Sequence, residues 1–498
     1  MTDTRPFTTT RTARILRSRP AHDVATGGLR WAGLGRTSVH TLPAMDRSAV
    51  ITGLGIVTGF GVGHEALWQG LIEGRSAIGP IEAFDASQFD TRLAAMAPED
   101  FTAKDFVPKS YRKAVKIMAQ DTHLAVAAAS LAVEDGSIRT RASEGEGGEL
   151  TYAGERIGCQ IGAGLIAAET KELTSALIHS AKEGDPYNMD WRKWGEGAMY
   201  KLQPLWLLKY LPNMLACHVT ILHGAEGPSN TITCAEASGL LSIGESTRVI
   251  ERGDVEMCFS GGAESRISYV GLARMRLTGW LAPTGDETDG AKIIRPYDPE
   301  SPGGLLGEGG GILILEESDA ARERGAHIYA TIDGFGAGQS PPPVMPTMPP
   351  PIEHGGNAFD GAEEGLVYAI ENAFEDAGIG PDDIDAIVPR AMGMPSADMR
   401  EANTFRAIFG ERLSQIPIIA TSPAIGNCMA ASGPINVAVA ARCLESQSLP
   451  ARLNAGSPAD DLDAGPDKTR PATLRRVLVC SGSIGGQNAA VIVGRAPN

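Results

Sequence analysis

The residues with the clearest chemical potential lie in a short stretch, residues 230–239, which reads Asn-Thr-Ile-Thr-Cys-Ala-Glu-Ala-Ser-Gly. An apolar run gives way there to a helical pattern, so Cys234 ends a predicted strand and Glu236 precedes the helix predicted for residues 238–252. A cysteine can act as a covalent nucleophile. A carboxylate at the start of a helix is favoured by free N–H groups and by the helix dipole. The turn therefore predicts either thiol or carboxylate chemistry.

Histidine and lysine are scarce in the last part of the chain. The last of the nine histidines is His354, and after it only one lysine occurs, Lys468, in a polar stretch. A histidine–lysine catalytic set contributed by residues 355–498 is therefore excluded.

The composition of the chain excludes several classes of function. The seven cysteines are scattered from Cys159 to Cys480 without a CxxC pair, which argues against a disulfide framework and a zinc site and favours a reducing cytoplasm. The net charge of −16 repels phosphates, so we expect no nucleic-acid or anionic-membrane partner. No apolar run reaches the length of about 18 residues that a membrane helix needs. We expect neither a metal nor a cofactor.

Apolar runs alternate with amphipathic helical patterns along most of the chain. This alternation predicts α/β layers around a buried sheet. The elements form two sets that divide near residues 317–327, so we expect halves at residues 46–320 and 321–498, without a strong residue-level repeat. The predicted strands are residues 49–57, 157–162, 230–234, 257–260, 311–316, 328–335, 385–388, 417–420, 477–480 and 489–493; the predicted helices are residues 110–132, 238–252, 362–377, 397–409 and 430–444.

Three segments stand apart from this pattern. Residues 1–45 contain seven Arg and no Lys; this composition is similar to a transit peptide, but we favour a disordered or mis-assigned extension ahead of the body. Residues 140–156 are polar and rich in Gly, which predicts a surface loop. Residues 340–351 contain seven Pro, which predicts an extended, rigid linker.

Seven strings along the chain resemble those of the condensing β-ketoacyl-acyl carrier protein synthases of the thiolase superfamily. They occur in the family's order and with nearly the family's spacing, over residues 47–494. The strings are VITGLG (50–55), PNMLACHV (212–219), GAEGPS (224–229), ASG (237–239) with IG (243–244), RPYD (295–298), GEGGG (307–311) and GGQN (485–488).

The resemblance implies a thiolase fold, in which two five-layered α/β/α/β/α halves form one pseudo-symmetric unit that is usually dimeric. It also implies Claisen condensation on carrier-bound acyl chains, for which the family uses a nucleophilic Cys, two His and a Lys.

Carried over position by position, that catalytic set is missing from this sequence. The family's Cys falls on Glu236, and Cys234 is the alternative nucleophile only if the register shifts. The family's first His falls near Val344, its second His on Asn427 and its Lys on Ser422.

Two further strings relate to the same site. In the family, the turn at residues 483–488 supplies an oxyanion-hole N–H group and an aromatic gate; here Ile484 stands at the gate, followed by Gly485 and Gly486. The N–H groups of Ile484 and Glu236 would form a two-donor anion site. A landmark that usually reads His-Gly-Thr is Arg-Ala-Met at residues 390–392.

Glu236 has three interpretations. It can mimic an acyl-enzyme carbonyl, because the inactive family branch called the chain length factors carries Gln in place of Cys. It can merely cap the helix at a vestigial site. It can act as a general base if burial raises its pKa.

These interpretations lead to three functional hypotheses. We favour a non-condensing, chain-length-factor-like partner of an active ketosynthase in fatty-acid or polyketide assembly. The alternatives are an enzyme with altered chemistry at Glu236, such as a malonyl-thioester decarboxylase, and a condensing acyltransferase that uses Cys234. The resemblance implies an acyl carrier protein or acyl thioester as partner, and a homodimer or a heterodimer with an active ketosynthase.

Two surface segments leave alternatives open. The aromatic stretch 187–210 lies just before the string at 212–219, where the family builds its dimer contacts and the acyl-pocket wall; it predicts either such a wall or a surface insertion. The predicted helix 110–132 carries Lys113, Lys116 and His123. These residues form either a docking site for an acidic carrier protein or a solvated helix face, and we favour the solvated face.

Overall fold

The computed structural model describes residues 47–145, 147–341, 361–453, 456–483 and 485–497. The predicted extension at residues 1–45, residues 342–351 of the proline-rich segment, Val344 and Ile484 lie outside these ranges. The described residues belong to one unit that spans Met45–Asn498.

A ten-stranded sheet organises the described chain, and one three-stranded and two two-stranded sheets lie beside it. Nine of its strands are β1 (Ala49–Thr58), β2 (Ile157–Ala163), β3 (Ser229–Ile232), β4 (Met257–Glu264), β5 (Gly309–Glu317), β6 (Ala330–Gln339), β7 (Ala386–Val388), β8 (Arg476–Gly482) and β9 (Gln487–Arg495). They follow the spatial order β7-β8-β9-β6-β1-β5-β4-β2-β3, and the tenth strand, Gly61–Val62, pairs with β1. Burial on both faces explains why most of these strands are near-continuous apolar runs.

The sheet consists of two halves with the same pattern of strand directions. From the centre outwards, β1-β5-β4 and β6-β9-β8 are both antiparallel steps. The next steps, β4-β2-β3 and β8-β7, are parallel, and Ile418 continues the second half with an isolated parallel bridge to Ile387. An antiparallel pairing of β1 with β6 joins the halves.

Helices on both sides of each half complete five layers. On the outside, α1 (Gln120–Asp135) and α2 (Met214–His223) cover the first half, and α4 (Glu364–Ala377) and α5 (Pro395–Phe409) cover the second. Between the halves, α3 (Ser238–Glu251) and α6 (Ser432–Ser446) share one buried apolar cluster. Further helices of eight or more residues span His64–Ile72, Thr170–Ser180 and Tyr269–Arg276.

Glycines let the outer helices approach the central strands closely. A Cβ on Gly55 of β1 would lie 1.8 Å from the carbonyl oxygen of Ala128 in α1. In the second half, a Cβ on Gly336 of β6 would lie 2.0 Å from the carbonyl oxygen of Ala369 in α4. The VITGLG string therefore reflects helix-to-strand packing, and the same device recurs in the second half.

The central helix α3 can be buried although it is rich in serine. Ser242 and Ser246 donate their hydroxyl hydrogens to carbonyl oxygens one turn earlier, Ser238 at 2.9 Å and Ser242 at 2.8 Å. Each buried hydroxyl is thereby satisfied within its own helix, and the small side chains leave room for α6.

Four sequence predictions of local structure need correction. The predicted helix 110–132 begins only at Gln120, because residues 110–117 form turns and a 3-10 turn, Ala114–Ile117. The predicted strand 417–420 is reduced to the bridge at Ile418. The strand predicted for residues 230–234 ends at Ile232. The loop 140–156 contains a short helix, Arg141–Glu144, that is capped by Thr140.

Within the described ranges, no helix combines the length and the apolar character needed to cross a membrane. All seven cysteines fall within these ranges and carry free thiols.

Candidate functional site around Glu236

The fold brings the ends of three parallel strands to one edge of the sheet. β4, β2 and β3 are neighbours and run in the same direction, so the chain segments that follow them meet at their carboxyl ends. After β3 the chain forms a 3-10 turn, Ala235–Ala237, and enters α3. Ala235 adopts φ 48°, a strained conformation that turns Glu236 inwards.

Glu236 is buried, at 2% exposure, and its carboxyl group is only half satisfied. Oε1 accepts a long hydrogen bond of 3.5 Å from the Asn427 side-chain amide. Oε2 is buried without a hydrogen-bond partner among the described residues. The Ser481 hydroxyl donates to the Glu236 backbone carbonyl at 2.8 Å and so fixes the turn against β8.

Burial raises the pKa of Glu236, and the nearby carboxylate of Glu264 adds to this effect. Two nearby arginines, Arg266 and Arg390, oppose the shift, but each is paired with another acid. Arg266 donates to Glu264 at 2.6 Å, and Arg390 donates to Glu363 at 3.2 Å. Neither arginine forms an ion pair with Glu236 among the contacts of the described chain.

Asn427 lies where the resemblance places the family's second His. Its Oδ1 accepts hydrogen bonds from the Met429 N–H group at 2.8 Å and the Ser432 hydroxyl at 3.2 Å. These bonds orient the Nδ2 group towards Glu236. An amide held in this way can donate a hydrogen bond, but it cannot exchange a proton as an imidazole does.

Ser422 lies where the resemblance places the Lys. Its hydroxyl donates to the carbonyl oxygen of Ala391, so it is engaged with the backbone of the 390–392 turn. The hydroxyl carries no positive charge that would support a neighbouring acid or base.

The cavity at this site is very small. Its volume is about 20 Å³, enough for about one water molecule. Most of the residues that line it are polar, and none of them is His or Lys. The described residues around it are Glu236, Arg390, Met392, Thr421, Ser422, Gly426, Asn427, Ser432, Asn436, Cys480 and Ser481.

Arg390 is the principal residue of the site that was not predicted from the sequence. The backbone of its turn is held by two buried acids of α5: Glu401 accepts from the N–H groups of Arg390 and Ala391, each at 3.0 Å, and Asp398 accepts from Met392 at 3.0 Å. The buried guanidinium then reaches Glu363. The signal was present in the sequence, because Arg390 stands at the His of the family's His-Gly-Thr landmark. The position predicted for the first His, Val344, lies outside the described residues.

Cys234 does not line the cavity. It lies in the turn after β3 rather than in the strand, and its N–H group donates to the Ser238 hydroxyl at 2.8 Å. Burial raises the pKa of its thiol, which disfavours the thiolate that nucleophilic attack requires.

The loop that would carry the oxyanion donors is internally bonded. The N–H group of Gly485 donates to the Ser483 hydroxyl at 3.2 Å, and that of Gly486 to the Ser483 carbonyl at 3.0 Å. Ile484, whose N–H group is the predicted donor, lies outside the described residues. The two-donor anion site therefore remains a prediction.

Comparison with known families agrees with this geometry. The family model described as "Beta-ketoacyl synthase, N-terminal domain" matches residues 46–321, and "Beta-ketoacyl synthase, C-terminal domain" matches residues 353–456. This chain belongs to the beta-ketoacyl synthase family. The predicted resemblance and the thiolase-type fold are thereby confirmed.

Relatives in this family match nearly the whole body. The 3-oxoacyl-[acyl-carrier-protein] synthase 2 of Coxiella burnetii is 28% identical over 454 residues, which cover 90% of this chain and 99% of the relative. The enzyme of the same name from Vibrio harveyi is 28% identical over 451 residues, which cover 90% and 98%.

Solved structures of beta-ketoacyl synthases superpose on most of the chain. The ishigamide ketosynthase/chain length factor has a TM-score of 0.72 at 25% identity and covers 91% of this chain and 100% of that one. A beta-ketoacyl synthase from Burkholderia phymatum has a TM-score of 0.74 at 24% identity, with the same coverage.

Two surface segments of this beta-ketoacyl synthase family member are exposed. Tyr187, Trp191 and Tyr200 are 97%, 74% and 84% exposed, whereas Tyr210 at the end of the aromatic stretch is buried and donates to Glu172 at 2.6 Å. Lys113 and Lys116 are also exposed, and His123 is half-buried with its ring nitrogen 3.0 Å from the Val115 carbonyl oxygen.

Proposed function

We propose that this chain is a non-condensing subunit of the beta-ketoacyl synthase family that pairs with an active ketosynthase in fatty-acid or polyketide assembly. The observation that carries the proposal is Glu236 itself, buried at the turn where the family places its nucleophile. A carboxylate there cannot form the thioester intermediate that condensation requires. Asn427 and Ser422 beside it supply neither a transferable proton nor a positive charge.

The size of the cavity supports the same conclusion. A volume of about 20 Å³ holds one water molecule but not the acyl and malonyl groups of two reactants. The buried Arg390 and Met392 occupy part of the wall, and Arg390 is tied to Glu363. Opening this site would separate a buried ion pair, which is costly.

An exposed aromatic surface supports the pairing with another subunit. Tyr187, Trp191 and Tyr200 expose most of their area on the segment that follows Thr170–Ser180. β3 is the outermost strand of the sheet, and its outer edge is unpaired within the described chain. Aromatic residues and strand edges are both favoured in subunit interfaces. We infer that the partner is an active ketosynthase of the same fold, as in the ishigamide ketosynthase/chain length factor.

An acyl carrier protein is the second inferred partner. Residues 104–116 contain five cations and one acid in a chain whose net charge is −16, and Lys104, Lys109, Arg112, Lys113 and Lys116 are exposed. A local basic surface attracts an acidic carrier protein even when the whole chain is acidic. We place this assembly in the cytoplasm, where seven free thiols remain reduced.

Co-expression with a tagged active ketosynthase from the same source tests the pairing. We expect this chain to co-purify with the ketosynthase in a 1:1 complex. The triple variant Tyr187→Ser, Trp191→Ser, Tyr200→Ser should lose the complex, whereas Leu277→Ser, which is 68% exposed elsewhere, should keep it. A stable homodimer that ignores the ketosynthase would contradict the proposal, as would a monomer that condenses acyl groups alone.

The raised pKa of Glu236 and its unpartnered Oε2 favour one alternative, a malonyl-thioester decarboxylase with Glu236 as its acid–base group. Release of carbon dioxide from malonyl-carrier protein would then disappear in Glu236→Gln while folding is kept. Equal rates in the variant and the parent would remove this alternative.

A further inference from the structure

Two oppositely charged side chains of the Glu236 site each keep a buried polar atom without a partner. Glu236 Oε2 and Arg390 Nε form no hydrogen bond with any other described residue. Glu236 is 2% exposed and the Arg390 side chain 6%, and both residues line the cavity of about 20 Å³. Buried polar atoms are nearly always hydrogen-bonded, either to protein or to ordered water. The two atoms therefore point to a partner from outside the protein chain.

The hydroxyl groups around the cavity cannot supply that partner. Each hydroxyl carries a single hydrogen, and each of these hydrogens is donated to another acceptor. Turning one of them towards Glu236 Oε2 would break an existing bond. The four donors and their acceptors are Ser481 to the Glu236 carbonyl, Ser422 to the Ala391 carbonyl, Ser432 to Asn427 Oδ1 and Thr421 to Asn436 Oδ1.

The cavity has the size and the lining of a site for one water molecule. A bound water needs a volume of about 10–15 Å³ and roughly two to four polar partners. The cavity offers about 20 Å³, and carboxyl, guanidinium, amide and hydroxyl groups contribute to its wall. Cavities that stay empty in proteins have apolar walls, which this one does not have.

We propose that the cavity binds one permanent water molecule, which bridges Glu236 Oε2 and Arg390 Nε. The Nε–H group of an arginine can only donate, whereas a carboxylate oxygen accepts. Water satisfies both atoms because it accepts and donates at once. Ammonium would leave the Nε–H group without an acceptor, and chloride would leave the carboxylate without a donor. Water also fits the protonated carboxyl, because its oxygen can accept from two donors.

The bridging water ties the two halves of the sheet together through the site. Glu236 belongs to the first half, whereas Arg390 and Glu363 belong to the second. A continuous chain of hydrogen bonds then runs from Asn427 through Glu236, the water and Arg390 to Glu363. This inference deepens the proposed function and rests on it, because it names the molecule that occupies a non-condensing site in place of an acyl group.

A crystal structure of the full-length chain, at a resolution that locates ordered waters, tests the proposal without any substitution. We expect one electron-density peak in the cavity, within hydrogen-bond distance of both Glu236 Oε2 and Arg390 Nε. The matched control Glu236→Gln keeps a polar atom at the end of the side chain and should keep the peak. Glu236→Met places an apolar group there and should lose it. In solution, oxygen-17 relaxation dispersion should count one long-lived water fewer in Glu236→Met than in the parent or in Glu236→Gln.

Three results would overturn the water site: a cavity without density in the parent, a direct hydrogen bond between Glu236 and Arg390 in place of the water, or a peak that persists in Glu236→Met. The parent structure alone decides the first two, so the proposal stays falsifiable even if a variant fails to fold. Thermal unfolding of both variants, recorded in parallel, detects such a failure. An acyl adduct on this chain would overturn the proposed function whatever the cavity holds, whereas a cavity without water in a chain that takes no acyl group would overturn this inference alone.

Discussion

The substitution Asp121→Asn should stabilise the protein at neutral and alkaline pH. Burial, together with the neighbouring carboxylates Glu264 and Glu308, raises the pKa of Asp121 from its usual 3.8 to about 8. The folded chain therefore holds this proton over a range of pH in which the unfolded chain has released it. Stability contributed by the protonated form is present below pH 3.8 and is lost progressively as the pH rises towards 8. Because asparagine cannot ionise, the variant does not lose this stability as the pH rises.

The gain in the free energy of unfolding follows from the pH range over which only the unfolded chain is ionised at this position. Each unit of pKa difference corresponds to about 1.4 kcal/mol, so ionisation of the unfolded chain alone costs the folded state up to about 4 kcal/mol at pH 7. At an unfolding entropy of roughly 2 cal/mol/K per residue, this corresponds to a rise of about 4 °C in the melting temperature of a unit of this size. The Ser265 N–H group keeps an acceptor in Asn, so little is lost in exchange.

Differential scanning calorimetry of the parent and Asp121→Asn at pH 5, 6, 7 and 8 measures the effect. The difference between the two melting temperatures should grow with pH and level off near pH 8, while Asp382→Asn, at an exposed aspartate, should show no such trend. A variant that is less stable than the parent at pH 8 would contradict this prediction, because it would mean that a cation within the protein compensates the Asp121 carboxylate.

Two further substitutions test the packing of the site. Gly239→Ala places a Cβ 2.3 Å from Pro434 Cδ, where α3 meets α6, and should destabilise the fold by about 1–3 kcal/mol in calorimetry, whereas Gly380→Ala, whose Cβ meets nothing within 4 Å, should not. Arg390→Met leaves Glu363 buried without its ion-pair partner and should cost about 3–5 kcal/mol by urea unfolding, against less than about 1 kcal/mol for Arg475→Met, whose side chain is 61% exposed in its pair with Asp385. Equal effects of the two arginine substitutions, or a neutral Gly239→Ala, would contradict the described packing.

The strands and central helices were predictable because each is buried and its apolar pattern is strong. Ala49–Thr58 and Ser238–Glu251 were predicted to within one residue at each end. The early start of the predicted helix 110–132 has a physical cause: Val115 and Met118 are buried in and beside a 3-10 turn, and their spacing imitates a helical face. Such tertiary burial cannot be distinguished from helical periodicity in the sequence alone.

The duplication of the fold was inferred from element order, but a residue-level signal exists at the site. Residues 234–239 read Cys-Ala-Glu-Ala-Ser-Gly, and residues 428–433 read Cys-Met-Ala-Ala-Ser-Gly. The second residue of each string, Ala235 and Met429, has φ 48° and φ 53°, and each string leads into a central helix. A search for short repeats around the candidate nucleophile turn would have found this pair.

The candidate site was only partly predictable. The sequence placed Glu236, Asn427 and Ser422 from their strings, and the structure brings these three residues to one cavity. Arg390 was not predicted as a residue of the site, because its contact with Glu363 and its place in the cavity wall depend on the packing of α5 against the second half of the sheet. The carboxylate pair at Asp121 and Glu308 was not predicted, since 187 residues of chain separate the two acids.

The proposed function requires that this beta-ketoacyl synthase family member does not form an acyl-enzyme. Intact-protein mass spectrometry after incubation with an acyl-loaded carrier protein measures this, with an active ketosynthase in the same tube as the positive control. We expect the ketosynthase to gain the mass of the acyl group and this chain to gain none. An acyl adduct on this chain, above all one located at Cys234, would overturn the proposed function.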